Sequence, residues 1–270
     1  MHLLTYRSDA ADGDVDPESL PIWLVGPKAH AAMELTPSDV SMLCLKGYTA
    51  WEITHAGCCL SHWGLPLPIV NRILDLAGLW VAYHATTHEV MEGWAPMERE
   101  YVHLTIPHDL SQKCLRLADC TALSIECVSH DQGWAAELPE FNYTYFGCNS
   151  WVEFEILGPE GKTILPRVDL CRNFRACGSY RRHLLHITDR AILSRLVAGC
   201  SIIVYLRAQI AGWSNHAKYG RIQVQYAYAV DDSVDAADVL RQPIGTNSDK
   251  AGGTTSHLDM VNAAMRSITP

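Results

Sequence analysis

Between Tyr101 and Val230 the chain is one short alternating apolar run after another, with no helical text between them. The last run, Gly220–Val230, reads GRIQVQYAYAV, with Ile222, Val224, Tyr226 and Tyr228 set one way and Gln223, Gln225 and Ala227 the other. A repeat of two is that of a strand, whose successive side chains leave on opposite faces. Cys200–Gln209 (CSIIVYLRAQ) is a nearly continuous β-branched run, the composition of a buried strand. Tyr101–Ile106, Leu123–Val128 and Trp151–Leu157 alternate in the same way, and Leu165–Leu170 and His183–Ile187 do so more faintly. Roughly six to eight strands over about 130 residues predict a mainly β fold, an antiparallel jelly-roll-like sandwich.

A small helical region is expected ahead of it. In Leu65–Tyr83, LPLPIVNRILDLAGLWVAY, the residues Ile69, Ile73, Leu74, Leu76, Ala77 and Trp80 fall on one broad face at helical spacing. Pro68 stands where a first turn tolerates it, so the spacing predicts a helix over Pro68–Val81. Residues 21–64 are broken by Gly26, Pro27, Pro37, Gly47 and Gly57, and no element beyond one or two turns is expected there. Ala29–Leu35 is one short-helix candidate, and Ser38-Asp39 could cap another through Cys44. The first 20 residues are polar and acidic and are expected to be mobile; residues 231–270, rich in Asp, Ser, Thr and Gly, read as a disordered tail with a short helix near Leu258–Met265. The reading divides the chain into a poorly patterned segment (1–64), a helical region (65–100), the sandwich (101–230) and the tail (231–270).

Charge bears on function. At a net −9 the chain lacks the basic face that phosphate contacts need, which argues against nucleic acid as a partner. The local cluster Arg172, Arg175, Arg181 and Arg182 reads as a solvated face. The first residues have no apolar core of a leader peptide and no stretch reaches 18 apolar residues, so a cytoplasmic protein with no membrane partner is expected. Its ten cysteines are then reduced thiols, and with Cys58 and Cys59 adjacent and no C-x-x-C pair, no metal site built on them is expected. No nucleotide, phosphate or nucleophile-elbow motif appears, and no cofactor is expected.

The densest chemistry lies in Cys127–Phe154, CVSHDQGWAAELPEFNYTYFGCNSWVEF. His130, Asp131 and Gln132 fall in a loop between strands and could meet a metal or a sugar hydroxyl, with Trp134 as a stacking face. Alternatively the loop ties its own backbone together, with Asp and Gln side chains satisfying turn amides. Gly212-Trp213-Ser214-Asn215-His216 is a second loop of this kind. If strand order brings the two together, Trp134 and Trp213 flank one cleft with His130, Asp131, Asn215 and His216 at its rim, suited to a small polar ligand; equally, both tryptophans could be hydrophobic plugs. Arg175 and Arg207 sit in strand-like text and need partners, for which Glu126, Asp131, Glu153 and Glu155 are candidates. His84 and His88 have the i, i+4 spacing of a zinc pair if they lie on a helix, and Cys148 with His130 is an imaginable nucleophile–base pair without specific support.

Ser129-His130-Asp131-Gln132-Gly133-Trp134, a tyrosine-rich gap and Ser150-Trp151-Val152-Glu153 resemble the "SHDQGW…TY…SWTWFE" text of a β-sandwich domain of many fungal proteins. The likeness continues at Asn173-Phe174-Arg175-Ala176, at His183, and at Leu206–His216, where that family commonly reads "RAQYPGWVNHV". Upstream, Leu65-Pro66 to Trp80 is similar to an "LPxELVxRILDLAEYW" helix with the flavour of an F-box opening, with Pro68 in place of the expected Glu. The resemblance spans Leu65 to Val230, implies a fold more than a function, and carries no firmly assigned activity. Two functions are therefore expected. One is a non-catalytic module binding a small polar ligand or a protein partner through His130–Trp134 and Trp213–His216, with a ubiquitin-ligase adaptor as a possible partner of the Pro68–Val81 helix. The other is an enzyme or accessory protein of fungal small-molecule metabolism, with His130 and Asp131 as an acid/base pair.

Overall fold

The computed structural model describes residues 3–8 and 47–240. The segments expected to be mobile or disordered at the two ends, the short helices at Ala29–Leu35 and Ser38–Cys44, and the helix near Leu258–Met265 lie outside the described residues, apart from the strand at 3–8 and the start of the tail. The strands are β1 (Leu3–Ser8), β2 (Val81–Thr87), β3 (Met91–Trp94), β4 (Met97–Thr105), β5 (Leu115–His130), β6 (Ser150–Leu157), β7 (Thr163–Arg172), β8 (Arg181–Ile187), β9 (Ser201–Ala208) and β10 (Ser214–Val230). The helices are α1 (Ala50–His62), α2 (Leu67–Leu76), α3 (Arg190–Leu193) and α4 (Ala236–Leu240).

Two antiparallel sheets pack face to face. Sheet A runs β1-β8-β5-β10-β2, with β3 also paired to β10, and sheet B runs β4-β9-β6-β7. If β2 and β3 are taken as one broken first strand, the pairs are first with last, second with seventh, third with sixth and fourth with fifth. That is the wrapping of a jelly roll, and it fits the sequence expectation.

The alternation read in Gly220–Val230 works as expected. Ile222, Val224, Tyr226, Tyr228 and Val230 enter the core between the sheets, where they meet Leu123 and Ile125 of β5, Ile156 of β6 and Val204 of β9. Gln223 and Gln225 on the opposite face are buried as well. There Gln223 stands between Ser124 and His84 in register, and Ser124 bonds His186 at 2.9 Å. Glu126 is ion-paired with Arg182 on the same face.

The helical part departs from expectation. Residues 50–62, read as broken text, form α1, started by a capping box in which Thr49 Oγ1 accepts from Glu52 N at 3.2 Å and Thr49 N donates to Glu52 Oε2 at 2.8 Å. Gly57 stands in mid-helix because a β-carbon there would come within 2.5 Å of Val230 Cγ2. The predicted Pro68–Val81 helix ends at Leu76, because Gly78 turns left-handed at φ +68° and stops it. Val81 onward is β2, so the boundary set at residue 100 falls inside the sandwich. Residues 236–240 of the expected tail are α4, and α1, α2 and α4 gather at one end of the sandwich, where Asn71 receives Val230 N at 2.8 Å.

Candidate functional site

Strand lengths decide which loops meet. At the end of the sandwich away from α1 and α2, β5 stops at His130, β6 starts at Ser150, β7 stops at Arg172, β8 starts at Arg181, β9 stops at Ala208 and β10 starts at Ser214. The loops 131–149, 173–180 and 209–213 therefore crown one end. Register sets His130 of β5 directly opposite His216 of β10, so strand pairing joins the two motifs that lie more than eighty residues apart in sequence.

Beneath the crown lies a polar knot. Asp131 is 0 % exposed. Its Oδ1 accepts from Gly133 N at 2.7 Å and Cys177 N at 3.1 Å, and its Oδ2 from Ala176 N at 2.6 Å. Burial pushes its carboxyl above the ordinary value, while the three amides and the charge of Arg175 pull the other way. Asn173 joins the sheets. Its Oδ1 accepts from Ser129 Oγ at 2.7 Å, and its Nδ2 reaches Ser150 Oγ and Asn215 Oδ1, both at 3.0 Å, and His130 O at 3.3 Å. Asn215 Nδ2 continues across to Trp151 O at 2.7 Å and Arg207 O at 3.0 Å. Gln132 holds its own loop, donating to Trp134 O at 2.6 Å and accepting from Ser214 N at 3.1 Å.

Arg175 shapes the longest loop. Its guanidinium donates to Glu137 O, to Gly147 O and, through Nε, to Asn142 Oδ1 at 3.1 Å. Its backbone pairs with the same loop, donating to Thr144 O at 2.8 Å and accepting from Tyr143 N at 2.9 Å. The cation lies 5.0 Å from the centroid of Trp213, which is 9 % exposed and forms part of the floor. Arg175 thus meets carbonyls in place of the carboxylate partner expected of it. Arg175 and Arg181 are buried, with Arg181 3.8 Å over Phe174, so the arginine cluster is not a solvated face.

The other sequence candidates separate. His130 and His216 stack at 4.6 Å with an interplanar angle of 3°; Tyr180 meets the His130 edge at 4.4 Å, and Glu92 lies 3.3 Å from His216. Burial lowers the affinity of His130 for a proton. Arg207 leaves the group and sits on the outer face of sheet B, paired with Glu98 and Glu153 and 5.6 Å over Trp151. Trp134 and Trp213 do not flank a cleft together, because one is 57 % exposed and the other is a plug. Asp131 and Asn215 are both fully buried and do not stand at a rim. His84 lies within β2 and His88 just past its end, where four residues of extended chain span about 13 Å, so the helical metal pair does not form.

What sequence reading missed is the crown itself. Trp134, Leu138, Phe141, Tyr143, Phe146 and Ile210 in the loops, and Trp94 at the end of β3, are all exposed large apolar side chains at this end. Leu138 and Tyr143 hold their side chains out on left-handed backbone, φ 49° and 62°, a conformation that bulky L residues rarely adopt without support. The aromatic run is visible in the sequence, but Phe141, Tyr143 and Tyr145 keep a strand-like spacing of two, so nothing in the sequence separates the exposed Phe141, Tyr143 and Phe146 from the buried Tyr145. A groove of about 630 Å³ opens at the other end of the sandwich, lined by Asp109, Leu115, Leu117, Cys120 and Val197, and shares no residue with the motif loops. No helix among the described residues is long and apolar enough to cross a membrane. Comparison with protein-family models and with curated proteins gives no match.

Proposed function

We propose that this chain is a non-catalytic binding module and that the crown of loops at the motif end is its recognition face. The observation that carries this reading is the set of exposed large apolar side chains, two of them (Leu138 and Tyr143) on left-handed backbone, in a loop fixed from below by Arg175. Soluble proteins rarely leave large apolar side chains grouped in water unless something covers them. The buried polar residues serve as the mount: they satisfy one another and the loop amides, which holds the face in one shape before a partner arrives and lowers the ordering cost of binding. The reading of a fungal metabolic enzyme has less support, since an acid/base pair needs Asp131 facing a substrate and both its oxygens are taken by backbone amides.

The test presents the full chain to a displayed random-peptide library and to an array of oligosaccharides, with Trp134→Ala/Tyr143→Ser beside it. Binders that fail on the double variant, while its melting temperature stays within about 2 °C of the parent, support the crown as the face. Binders indifferent to both substitutions would move the function elsewhere.

A second face is favoured by one observation at the opposite end. Ile69, Ile73 and Leu76 of α2 are exposed at i, i+4 and i+7, with Trp63 also exposed at the end of α1. This is the helix whose text has the F-box flavour, and recruitment to a ubiquitin-ligase adaptor is the corresponding proposal. Ile73→Glu should abolish binding of a purified adaptor without unfolding the sandwich; unchanged binding, or none by the parent, would remove this reading.

A further inference from the structure

We infer that the crown takes a basic polypeptide segment carrying large apolar anchors; this rests on the crown being the recognition face and names the class of its partner. Loops 131–149, 173–180 and 209–213 contain two exposed charges, Glu137 and Glu140, and both are acidic. In sequence they flank Leu138, and Glu140 directly precedes Phe141, with Tyr143 two residues further on. At the edge of the face, Glu92 adds a third exposed carboxylate beside Trp94. The one arginine in these loops, Arg175, is buried and spends its guanidinium on Glu137 O, Gly147 O and Asn142. Lys218, the nearby exposed lysine on β10, lies over the Tyr180 ring at 4.4 Å. Arg172, part-exposed at the end of β7, donates to Cys148 O at 2.8 Å and is paired with Asp169, so the charges that stand among the rings of the long loop are the carboxylates of Glu137 and Glu140.

That pattern discriminates between occupants. A second copy of the chain, docked face to face, would bring carboxylates against carboxylates. An anionic bilayer or nucleic acid would meet the same repulsion. A sugar needs planar amides as well as carboxylates next to the stacking rings, and the amides of Gln132, Asn173 and Asn215 are committed to internal hydrogen bonds, which leaves the charged Glu137 and Glu140 as the free groups. A polypeptide with Lys or Arg beside Leu, Phe or Trp meets both halves of the pattern, since its long basic side chains can lie over the aromatic rings and end on Glu137 and Glu140.

The experiment selects a displayed random twelve-residue peptide library on the full chain, then measures synthetic copies of the recovered peptides by fluorescence anisotropy. Recovered peptides should be enriched in Lys and Arg next to large apolar residues relative to the unselected library. Glu137→Lys/Glu140→Lys should weaken them about tenfold at low salt, since each reversal replaces an attraction by a repulsion. The double variant should in turn bind peptides in which Asp and Glu replace the basic residues. Recovery of peptides with no basic excess, or equal binding by the charge-reversed chain, would overturn the inference. Peptides of either charge that need Tyr143 but not Glu137 would keep the recognition face and discard the basic partner. Oligosaccharide binding lost in Trp134→Ala would likewise assign the same face to sugar. A concentration-dependent dimer abolished by Tyr143→Ser would assign it to a second copy.

Discussion

At the motif end Asn173 and Asn215 join the two sheets by hydrogen bonds and Asp131 and Arg175 tie the loops above them, whereas at the helical end Ile53, Val70 and Leu74 close the sandwich by packing near Val230. Both ends also present apolar side chains to solvent, as loop aromatics at one and a helical stripe at the other. The difference lies in what each closure fixes. Apolar contact is non-directional and accepts side chains of similar volume. Hydrogen bonds fix distance and direction, and a buried group that loses its partner carries the full desolvation penalty. A face meant to keep one shape is better mounted on the second kind of closure.

The largest effect should come from Asp131→Ala, which leaves one buried and two part-buried amides without their acceptor and is expected to destabilise by about 4 kcal/mol in urea titrations. Leu74→Ala, the counterpart at the helical end, should cost about 3 kcal/mol, while Leu74→Met should stay near 1 kcal/mol. An Asp131→Asn chain as stable as the parent would break the contrast, because it would show that the knot tolerates a change of hydrogen-bond direction. Arg175→Met should cost about 2 kcal/mol and open the 137–147 loop to limited proteolysis, with no new cleavage in α1 or α2.

A pH titration sharpens the comparison further. Burial holds the folded pKa of His130, at the motif end, below its unfolded value of 6.5, and does the same for His186 in β8. The folded state thus favours the neutral ring. The stability each contributes is complete above pH 6.5 and is lost as the pH falls below that value through the lower folded pKa. The melting temperature should decline on acidification below pH 6.5, and His130→Gln should flatten part of that decline. The smallest effect is expected from Tyr143→Gly, within about 0.5 kcal/mol of the parent, because relief of the left-handed backbone offsets the added chain entropy of glycine. A loss above about 1.5 kcal/mol would mean that Tyr143 is part of the core and not of a face.

The strands were legible because β9 and β10 carry β-branched and alternating text that no other element fits. β2 and β3 were not, since Trp80-Val81 extended the helical pattern and masked the stop at Gly78. α1 was hidden by Gly57, which reads as a breaker until its closeness to Val230 is known, although Thr49 and Glu52 announced its start. At the site, the sequence showed which residues were polar but not which were spent. Asn173 gave no sign that it would link Ser129 with Ser150, because that link depends on how sheet A faces sheet B.

The wrapping of first strand against last also has a consequence in time. β10 is the partner of both β5 and β2/β3, and it is the last strand of the sandwich to leave the ribosome. At synthesis rates of about 5–20 residues per second, the roughly 100 residues between His130 and Val230 leave β5 with an open edge for on the order of 5–20 s. During that interval a nascent chain offers an unpaired strand edge to any neighbour. Assembly of the sandwich is therefore expected to be late and slow, as for folds rich in distant pairings, and sensitive to how many copies are being made side by side.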